Sequence, residues 1–258
     1  SPMIDLHTHI LPGIDDGARD LDETLAMLEI AVADGIETIV ATPHYDALDP
    51  AFPAVVQARL EEVRNLVNER NLPIVIASGY ELMLTPELLA RKVTARELAL
   101  GGSRYILVEL PVPFWPPYVR TGLLALREAD LEVIIAHSER YEPVASDIEV
   151  AHELTEAGFL LQVNADSLAG VGSRVAQRTA RELVRRGLVS VLASDSHSPR
   201  RRAPRLRAAA AEATRLIGPA AAAALVTTNP AAILADRDLP PPPRITPQRR
   251  AFRWPWSS

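Results

Sequence analysis

Histidine and carboxylate side chains recur along this 258-residue chain directly after short apolar runs of sequence. Five of the six histidines occupy such positions, together with glutamate and aspartate residues. Imidazole and carboxylate ligands without sulfur suit manganese, iron or zinc, and divalent cations would neutralise the gathered carboxylates. The pattern therefore predicts a site for two or three metal ions, and its most conspicuous candidates are His7, His9, His44, Glu81, Glu109, His137, Asp195 and His197.

The elements that precede these residues must bring them together. Most of the apolar runs are continuous rather than alternating, which is typical of parallel strands buried on both faces. The predicted strands are Ile4–Leu6, Ile36–Ala41, Ile74–Ala77, Tyr105–Leu110, Leu131–Ala136, Phe159–Val163 and Val189–Ala193. Amphipathic segments between them predict helices at about 54–71, 118–129, 148–157, 175–186 and 204–217. A further helix is predicted between Asp20, which forms a capping-box pattern with Glu23, and Gly35.

Repeated strand–helix units imply a parallel sheet, and seven units in a chain of this length favour a barrel over an open sheet. Active sites of α/β barrels lie at the carboxyl ends of the strands. The candidate ligands follow the predicted strands at that end, and Asn164 could complete the ring there as a polar residue. We therefore expect an α/β barrel with a metal site at the C-terminal face of its strands.

The composition excludes several classes of function. The chain has no cysteine, which removes disulfides, sulfur-based zinc sites and any phosphatase that attacks through a thiolate. Lys92 is the only lysine and does not lie in a Gly-Lys-Ser/Thr sequence, so a P-loop is excluded. The net charge of -6 argues against nucleic-acid binding by the chain as a whole.

Location and domain organisation follow from the less distinctive segments. The opening residues Ser1–Asp5 do not resemble a signal peptide, and no window approaches a transmembrane helix, so we expect a cytoplasmic protein. Residues 1–237 are predicted to form one domain and residues 238–258 a tail rich in proline, arginine and tryptophan. The four consecutive prolines Pro240–Pro243 favour extended geometry. The tail is either a strand-like arm, packed on the barrel or frayed, or a basic–aromatic docking segment for a partner or an anionic membrane surface.

Two other candidates have simpler explanations. The pair Asp15-Asp16, within Gly13–Gly17, is most simply a turn. His152 lies on a predicted helix beside Glu153, away from any strand end, and we assign it no role in the site.

The motifs in combination resemble a known superfamily. Asp5-Leu6-His7-Thr8-His9, the run from Leu11 to Ala18, and Ala41-Thr42-Pro43-His44 are similar to the PHP (polymerase and histidinol phosphatase) superfamily. Gly79-x-Glu81, Ala136-His137-x-Glu139-Arg140 and Ser194-Asp195-x-His197 extend the match over about residues 3 to 235. More narrowly, the set resembles the bacterial manganese-dependent protein-tyrosine phosphatases encoded with capsule and exopolysaccharide genes.

This resemblance implies a distorted (β/α)7 barrel of the PHP type with a manganese centre of two or three ions. It implies phosphate-binding roles for Arg140 and for Arg202, although Arg200 and Arg201 are adjacent candidates for the second role. The implied partner is a phosphotyrosine-containing protein, a membrane-associated bacterial tyrosine kinase. The metal ligands that the resemblance implies are His7, His9, Asp16, His44, Glu81, Glu109, His137, Asp195 and His197.

The expected chemistry is phosphomonoester hydrolysis without a covalent phosphoenzyme. Clustered metal ions generate hydroxide at neutral pH, and arginine matches phosphate as a bidentate fork. Phenolate, with a pKa of about 10, leaves far more readily than a serine alkoxide, so a phosphotyrosine phosphatase needs little general-acid help. Asp195, Asp16 or a water could supply the proton.

Three other functions stay open at this stage. A small-molecule phosphatase, such as histidinol-phosphate phosphatase, would use the same chemistry. A metal amidohydrolase also begins with His-x-His after its first strand, but its dinuclear form commonly uses a carboxylated lysine at a strand end, and Lys92 lies elsewhere. A PHP module that binds metal or a partner without turnover is disfavoured by the complete set of ligands.

Overall fold

The strands of the protein lie where the apolar runs predict them. The computed structural model describes residues 2–90 and 95–245, and all its strand pairs are parallel. The strands are β1 (Met3–Thr8), β2 (Ile36–Ala41), β3 (Val75–Ser78), β4 (Glu81–Met83), β5 (Tyr105–Glu109), β6 (Glu132–Ile135), β7 (Leu160–Asn164) and β8 (Val191–Ala193).

Helices follow most of the strands, as expected for repeated strand–helix units. They are α1 (Leu21–Asp34), α2 (Phe52–Glu69), α3 (Pro86–Ala90), α4 (Tyr118–Glu128), α5 (Glu142–Ser146), α6 (Glu149–Glu156), α7 (Ala165–Ala169), α8 (Arg174–Arg185), α9 (Arg207–Ile217), α10 (Pro219–Ala223) and α11 (Asn229–Leu234). Across the described ranges, none of these helices is both long enough and apolar enough to cross a membrane.

Two parallel sheets bring the strand ends to one place. The order is β1-β2-β3 in the first sheet and β4-β5-β6-β7-β8 in the second. Isolated bridges join them at both edges, between Thr8 and Ser196 and between His44 and Glu81. At the first junction the His9 amide donates to the Ser196 carbonyl at 2.8 Å. The carboxyl end of β1 therefore meets the residues that follow β8, and the residues that follow β2 meet the start of β4.

Apolar side chains fill both faces of the sheets. Leu6, Val40, Leu107, Ile134 and Val191 belong to one cluster, and all are at most 1% exposed. Other apolar strand residues belong with helix residues to a larger second cluster. Burial on both faces explains why the strands are continuous apolar runs, and it confirms the predicted mixed α/β class with parallel sheets.

The structure corrects the predicted strands at two site residues. His7 lies inside β1, which continues to Thr8 because its last residues pair with β2 and bridge to the β8 edge. Glu81 does not simply follow β3 but begins the additional strand β4, so eight strands are described where seven were expected. The Glu-Leu-Met segment of β4 is too short and too mixed for an apolar pattern to reveal it.

The first part of the C-terminal tail packs against the domain. Leu239 packs against the smaller apolar cluster, and Pro240–Pro243 and Ile245 line a cavity with Phe159. The Tyr105 hydroxyl donates to the Arg237 carbonyl at 2.8 Å just before this segment. The packed arm is therefore observed for residues up to 245, while Arg249, Arg250, Arg253, Trp254 and Trp256 lie outside the described residues.

The N-terminus of α1, which follows the Asp15-Asp16 loop, carries a side-chain cap. The Asp20 carboxylate accepts a hydrogen bond from the Glu23 amide at 2.9 Å, as predicted for a helix cap. The Glu23 carboxylate, however, accepts from the Arg19 amide and guanidinium, so only half of the predicted capping box forms.

Asp20→Ala should lower the free energy of unfolding by about 1 kcal/mol, because the Glu23 amide loses its acceptor. Urea denaturation measures this value. Asp22→Ala is the matched control, because it removes a first-turn charge but no hydrogen bond and should cost less. Equal losses in the two variants would contradict the capping role.

Candidate metal centre

The predicted ligands converge at the junction of the two sheets. Three groups of side chains each place ligand atoms within 4.8 Å of one another. The groups are His9, Asp16, His44 and His197; His7, His9 and Asp195; and His44, Glu81 and Glu109. Because His9 and His44 each belong to two groups, the three groups form one continuous cluster suited to more than one ion.

The Glu81 carboxylate lies at the centre of this cluster. Its Oε2 atom is 3.2 Å from His7 Nε2, 3.2 Å from His9 Nε2 and 3.1 Å from His44 Nδ1. Oε2 is nevertheless buried without a hydrogen bond, because the angles of these short contacts are not those of a hydrogen bond. A shared cation would satisfy the oxygen and the imidazole nitrogens together, so the residues fit a metal site.

His137 completes the side of the cluster formed by the two glutamates. Its Nε2 atom is 3.1 Å from Glu81 Oε1 and 3.5 Å from Glu109 Oε1. It is absent from the three compact groups, so its role as a ligand depends on these two carboxylate contacts.

Asp195 connects the metal cluster to the two candidate arginines. Its Oδ1 atom lies 3.4 Å from His7 Nε2 and 3.5 Å from His9 Nε2. Its Oδ2 atom is in contact with the Arg202 guanidinium and lies 3.5 Å from Arg140 Nη1. Of the three adjacent arginines 200–202, only Arg202 pairs with Asp195 in the described structure.

Asp16 and His197 form the more exposed side of the cluster. His197 Nε2 is 3.2 Å from Asp16 Oδ1, and His44 Nε2 is 3.5 Å from the same oxygen. His197 Nδ1 lies 2.9 Å from the Asp195 carbonyl oxygen, an arrangement that leaves Nε2 toward Asp16. Asp16 therefore lies within the cluster, whereas His152 is on α6 and pairs with Glu156 at 3.6 Å, outside the cluster.

Asp15 has a role that the turn interpretation missed. Its Oδ2 atom lies 2.7 Å from His9 Nδ1 and accepts from the His44 amide at 3.1 Å. A carboxylate that accepts a hydrogen bond from Nδ1–H fixes the tautomer in which the Nε2 lone pair is free for a metal ion. The signal was available, because two adjacent aspartates beside a His-x-His motif supply one ligand and one orienting group.

Gly17 allows the Asp15 turn to lie against the backbone of His9. A Cβ atom at Gly17 would come within 2.1 Å of the His9 carbonyl oxygen. The Gly17 amide also donates to Asp15 Oδ1 at 2.9 Å. Any larger residue at this position would therefore displace His9.

A series of buried hydrogen bonds connects β7 to the cluster. Gln162 Oε1 lies 3.1 Å from His7 Nδ1 and accepts from the His137 amide at 2.8 Å. Gln162 Nε2 donates to Asn164 Oδ1, and Asn164 Nδ2 donates to Asp195 Oδ2 at 2.7 Å. The predicted position of Asn164 near the site is confirmed. Gln162 was missed, although a glutamine in an apolar strand is a recognisable signal.

Three candidate site residues have backbones in the left-handed region. His137 has φ 33°, Asp195 has φ 51° and Arg202 has φ 52°. This conformation is uncommon for residues other than glycine, and it is maintained where surrounding contacts determine the backbone. Strained backbone therefore coincides with the cluster and the adjoining arginine.

Ionisation within the cluster reflects the close packing of acids and imidazoles. Burial alone would lower the pKa of His7, but Glu81 and Asp195 outweigh it and raise this pKa to about 9. Burial likewise opposes ionisation of Glu81 and Asp195, yet His7 and other positively charged neighbours hold both carboxyl pKa values well below their usual range. The carboxylates therefore favour positive charge beside them, a demand that a bound metal cation would meet.

His197 shows the opposite behaviour. Burial, followed by the repulsion of a charged His9, lowers the pKa of His197 to about 4. This imidazole is therefore neutral at physiological pH, which is the form that coordinates metal.

The arrangement has counterparts among known proteins. A family model described as "Capsular polysaccharide synthesis, CpsB/CapC" matches residues 3–235. The chain belongs to this family. The resemblance seen in the sequence is thereby confirmed at the level of the capsule-associated phosphatases.

Individual relatives of this chain are named tyrosine-protein phosphatases. YwqE of Bacillus subtilis is 31% identical over 78% of this chain and 79% of its own length. CpsB of Streptococcus pneumoniae is 29% identical over 91% of this chain and 99% of its own length. One solved structure, from a study of the crystal structures of YwqE and CpsB as "unique metal-dependent tyrosine phosphatases", has a chain that is 28% identical in sequence to this one. It covers 95% of this chain and 99% of its own, with a TM-score of 0.84.

Asp15→Asn should weaken metal binding about 10- to 100-fold, because the amide cannot orient and polarise His9 as a carboxylate does. Manganese affinity by isothermal titration calorimetry measures the effect. Asp147→Asn is the matched control, because Asp147 is exposed, accepts from the Glu149 amide at 3.0 Å and belongs to none of the three ligand groups. Equal affinity of Asp15→Asn and the control would show that Asp15 is only a turn residue.

Proposed function

We propose that this protein is a metal-dependent protein-tyrosine phosphatase that hydrolyses phosphotyrosine on a protein substrate. The observation that carries the proposal is the buried Glu81 carboxylate oxygen with three imidazole nitrogens 3.1–3.2 Å away. The named phosphatase relatives cover most of the chain and support the same activity. The proposed ligands are His7, His9, Asp16, His44, Glu81, Glu109, His137, Asp195 and His197.

The reaction uses direct attack on phosphorus. The proposed ligands would hold divalent ions, which would supply a hydroxide nucleophile at neutral pH and offset the charge on the phosphoryl oxygens. The chain contains no cysteine for the thiolate route. The residues of the protein therefore bind, orient and neutralise the substrate without forming a covalent intermediate with it.

Arg140 and Arg202 bind the transferring phosphoryl group in this proposal. Both guanidinium groups approach Asp195 Oδ2 at the edge of the cluster, which places two cations beside the proposed ligands. A planar guanidinium offers paired donors that match phosphate oxygens. Glu139, which precedes Arg140, is buried and accepts from the Asn164 amide at 3.3 Å, which fixes the turn that carries Arg140.

Tyrosine is the favoured leaving group on chemical grounds. Phenolate, with a pKa of about 10, departs with little protonation, whereas an alkoxide from serine requires a strong general acid. Asp195 is already engaged with imidazoles and arginines and its carboxyl pKa lies well below the usual range, so we assign it to metal binding and to orientation of the two arginines.

Several finer assignments complete the proposal. The two bridged sheets form a distorted (β/α)7 barrel of the PHP type, in which β3 and the short β4 count as one interrupted strand. The barrel lies within a phosphatase domain of residues 1–237, which the tail follows. Manganese is the native metal, and the substrate is a bacterial tyrosine autokinase that controls capsule or exopolysaccharide synthesis. The amidohydrolase alternative would commonly need a carboxylated lysine, and the single lysine, Lys92, lies outside the described residues. Nothing in residues 2–90 and 95–245 favours that reaction.

Phosphatase activity should require manganese or a similar ion and should survive thiol-alkylating reagents. The reason is that the proposed nucleophile depends on metal, and the chain has no thiol. The assay compares a phosphotyrosine peptide, a phosphoserine peptide and histidinol phosphate, with manganese and after exhaustive chelation. Inhibition by iodoacetamide would refute the mechanism, as would full activity after verified metal removal. Preferred turnover of histidinol phosphate would favour the small-molecule alternative.

Arg140→Ala should lower kcat about 100-fold, as loss of one group that stabilises transition-state charge typically does. Metal content should stay unchanged, because arginine is not a ligand, and Arg140→Lys should restore activity only partly. Steady-state kinetics on a phosphotyrosine peptide are measured with metal quantified in the same preparations. Arg120→Ala, an exposed arginine that lines a cavity near Trp115, is the control. A kcat within threefold of wild type would remove Arg140 from the site.

A further inference from the structure

A cleft lined by arginines adjoins the candidate metal centre. It measures about 490 Å³ and lies between α7, the start of α8 and the loop that precedes α9. Asn164 and Arg202 line it and also contact Asp195, so the cleft opens beside the phosphate-binding arginines. A substrate chain held at the metal centre would therefore continue into this space.

The charge of the cleft is opposite to that of the whole protein. The chain carries a net charge of -6, yet the cleft is lined by five arginines and a single aspartate, Asp166. The lining arginines are Arg140, Arg200, Arg201, Arg202 and Arg205. Walls of one charge sign raise the local concentration of ligands of the opposite sign.

Three of these arginines have no carboxylate within ion-pair distance in the described residues. Arg140 and Arg202 share Asp195, whereas the guanidinium groups of Arg200, Arg201 and Arg205 form no ion pair there. Arg200 acts on the pKa of Glu23 on the α1 side, outside the cleft, whereas Arg205 acts on the pKa of Asp166 in the cleft wall and also lines a small cavity beside Asp34. We therefore test Arg201 and Arg205 as the members of the cleft. Unpaired cations that line a cleft suit an anionic ligand.

The Arg201 backbone is fixed, although its side chain is free to bind. The Arg201 amide donates to Ser198 Oγ at 2.9 Å, and the Ser198 hydroxyl donates back to the Arg201 carbonyl at 2.7 Å. These bonds depend only on the backbone of residue 201. Replacement of the side chain therefore leaves the turn intact.

We propose that this cleft is an anion subsite that selects phosphotyrosine substrates carrying a second negative group within a few residues of the phosphotyrosine. Each residue of an extended peptide spans about 3.3–3.6 Å, so an acidic group one to three residues away reaches the arginines beyond Arg202. Carboxylate and a second phosphate share the required chemistry. The subsite depends on the proposed phosphatase activity and adds a substrate preference to it.

The test compares kcat/KM of the manganese-loaded enzyme on matched phosphotyrosine peptides. One peptide has neutral flanks, two have glutamates on the amino or the carboxyl side, and one has a second phosphotyrosine. The wild type should prefer at least one anionic peptide about fivefold or more, because each exposed ion pair contributes up to about 1 kcal/mol. The preferred peptide identifies the direction of the substrate chain and the source of the negative charge.

Arg201→Ala with Arg205→Ala should reduce this preference to within about twofold, whereas lysine at both positions should retain most of it. Arg70→Ala with Arg120→Ala is the matched control, because it removes two exposed arginines outside the cleft and should leave the preference unchanged. Raising the ionic strength should weaken the preference in the wild type.

Each outcome separates the two proposals. Absence of metal-dependent turnover of p-nitrophenyl phosphate and of every peptide would refute the phosphatase activity, and the subsite with it. Turnover with equal efficiency on neutral and anionic peptides would refute the subsite alone. A preference that persists in the Arg201→Ala, Arg205→Ala variant would also overturn it.

Discussion

The need to compensate buried negative charge governs the structure at the junction of the two sheets. Glu81 and Asp195 are each only 1% exposed, and a buried carboxylate is strongly unfavourable unless positive charge accompanies it. The strands bring imidazoles to these carboxylates from widely separated parts of the sequence. The same arrangement that stabilises the carboxylates groups ligand atoms suited to divalent cations. Metal binding at this site would therefore be coupled to folding through one set of contacts.

The orientation of the imidazoles depends on neighbours that do not themselves bind metal in our proposal. Asp15 holds His9, and Gln162 holds His7 and the backbone of His137. Such partners fix the tautomer and direct the ligand atom. The left-handed backbones of His137 and Asp195 show that the chain accepts local strain to present these groups. The Asp15 turn and the β7 strand are thus part of the site as much as its ligands.

Substrate recognition requires a different distribution of charge from metal binding. The cluster is rich in acids, whereas the adjoining cleft is rich in arginine, with Asp195 in contact with both regions. A phosphorylated chain would place its phosphoryl group at their boundary, where cations from the protein face the metal ligands. In an acidic protein, this local field directs anionic substrates to one side of the site. Chemistry and selectivity are therefore assigned to neighbouring surfaces.

The sequence by itself determined the class of the fold and the composition of the candidate site. Continuous apolar runs predicted parallel strands because strands buried on both faces cannot alternate, and the absence of cysteine limited the chemistry. The motifs also indicated the family, because His-x-His, Asp195-x-His197 and the segments between them have recognisable residue spacing. Boundaries were less accurate: His7 proved to lie within β1, and the short strand β4 at Glu81 had no apolar pattern to reveal it.

Only the tertiary structure decided which side chains meet. Asp15 is one example: its contact with the nearby His9 is local, whereas its contact with the His44 amide forms only after β1 and β2 pair. Arg202 could not be separated from Arg200 and Arg201 in a run of identical residues, because the direction of each side chain depends on the local backbone. Arg202 has a left-handed φ of 52°, and of these three arginines only Arg202 contacts Asp195 in the described structure. Spacing along a chain identifies candidate groups, whereas long-range strand pairing sets the distances between them.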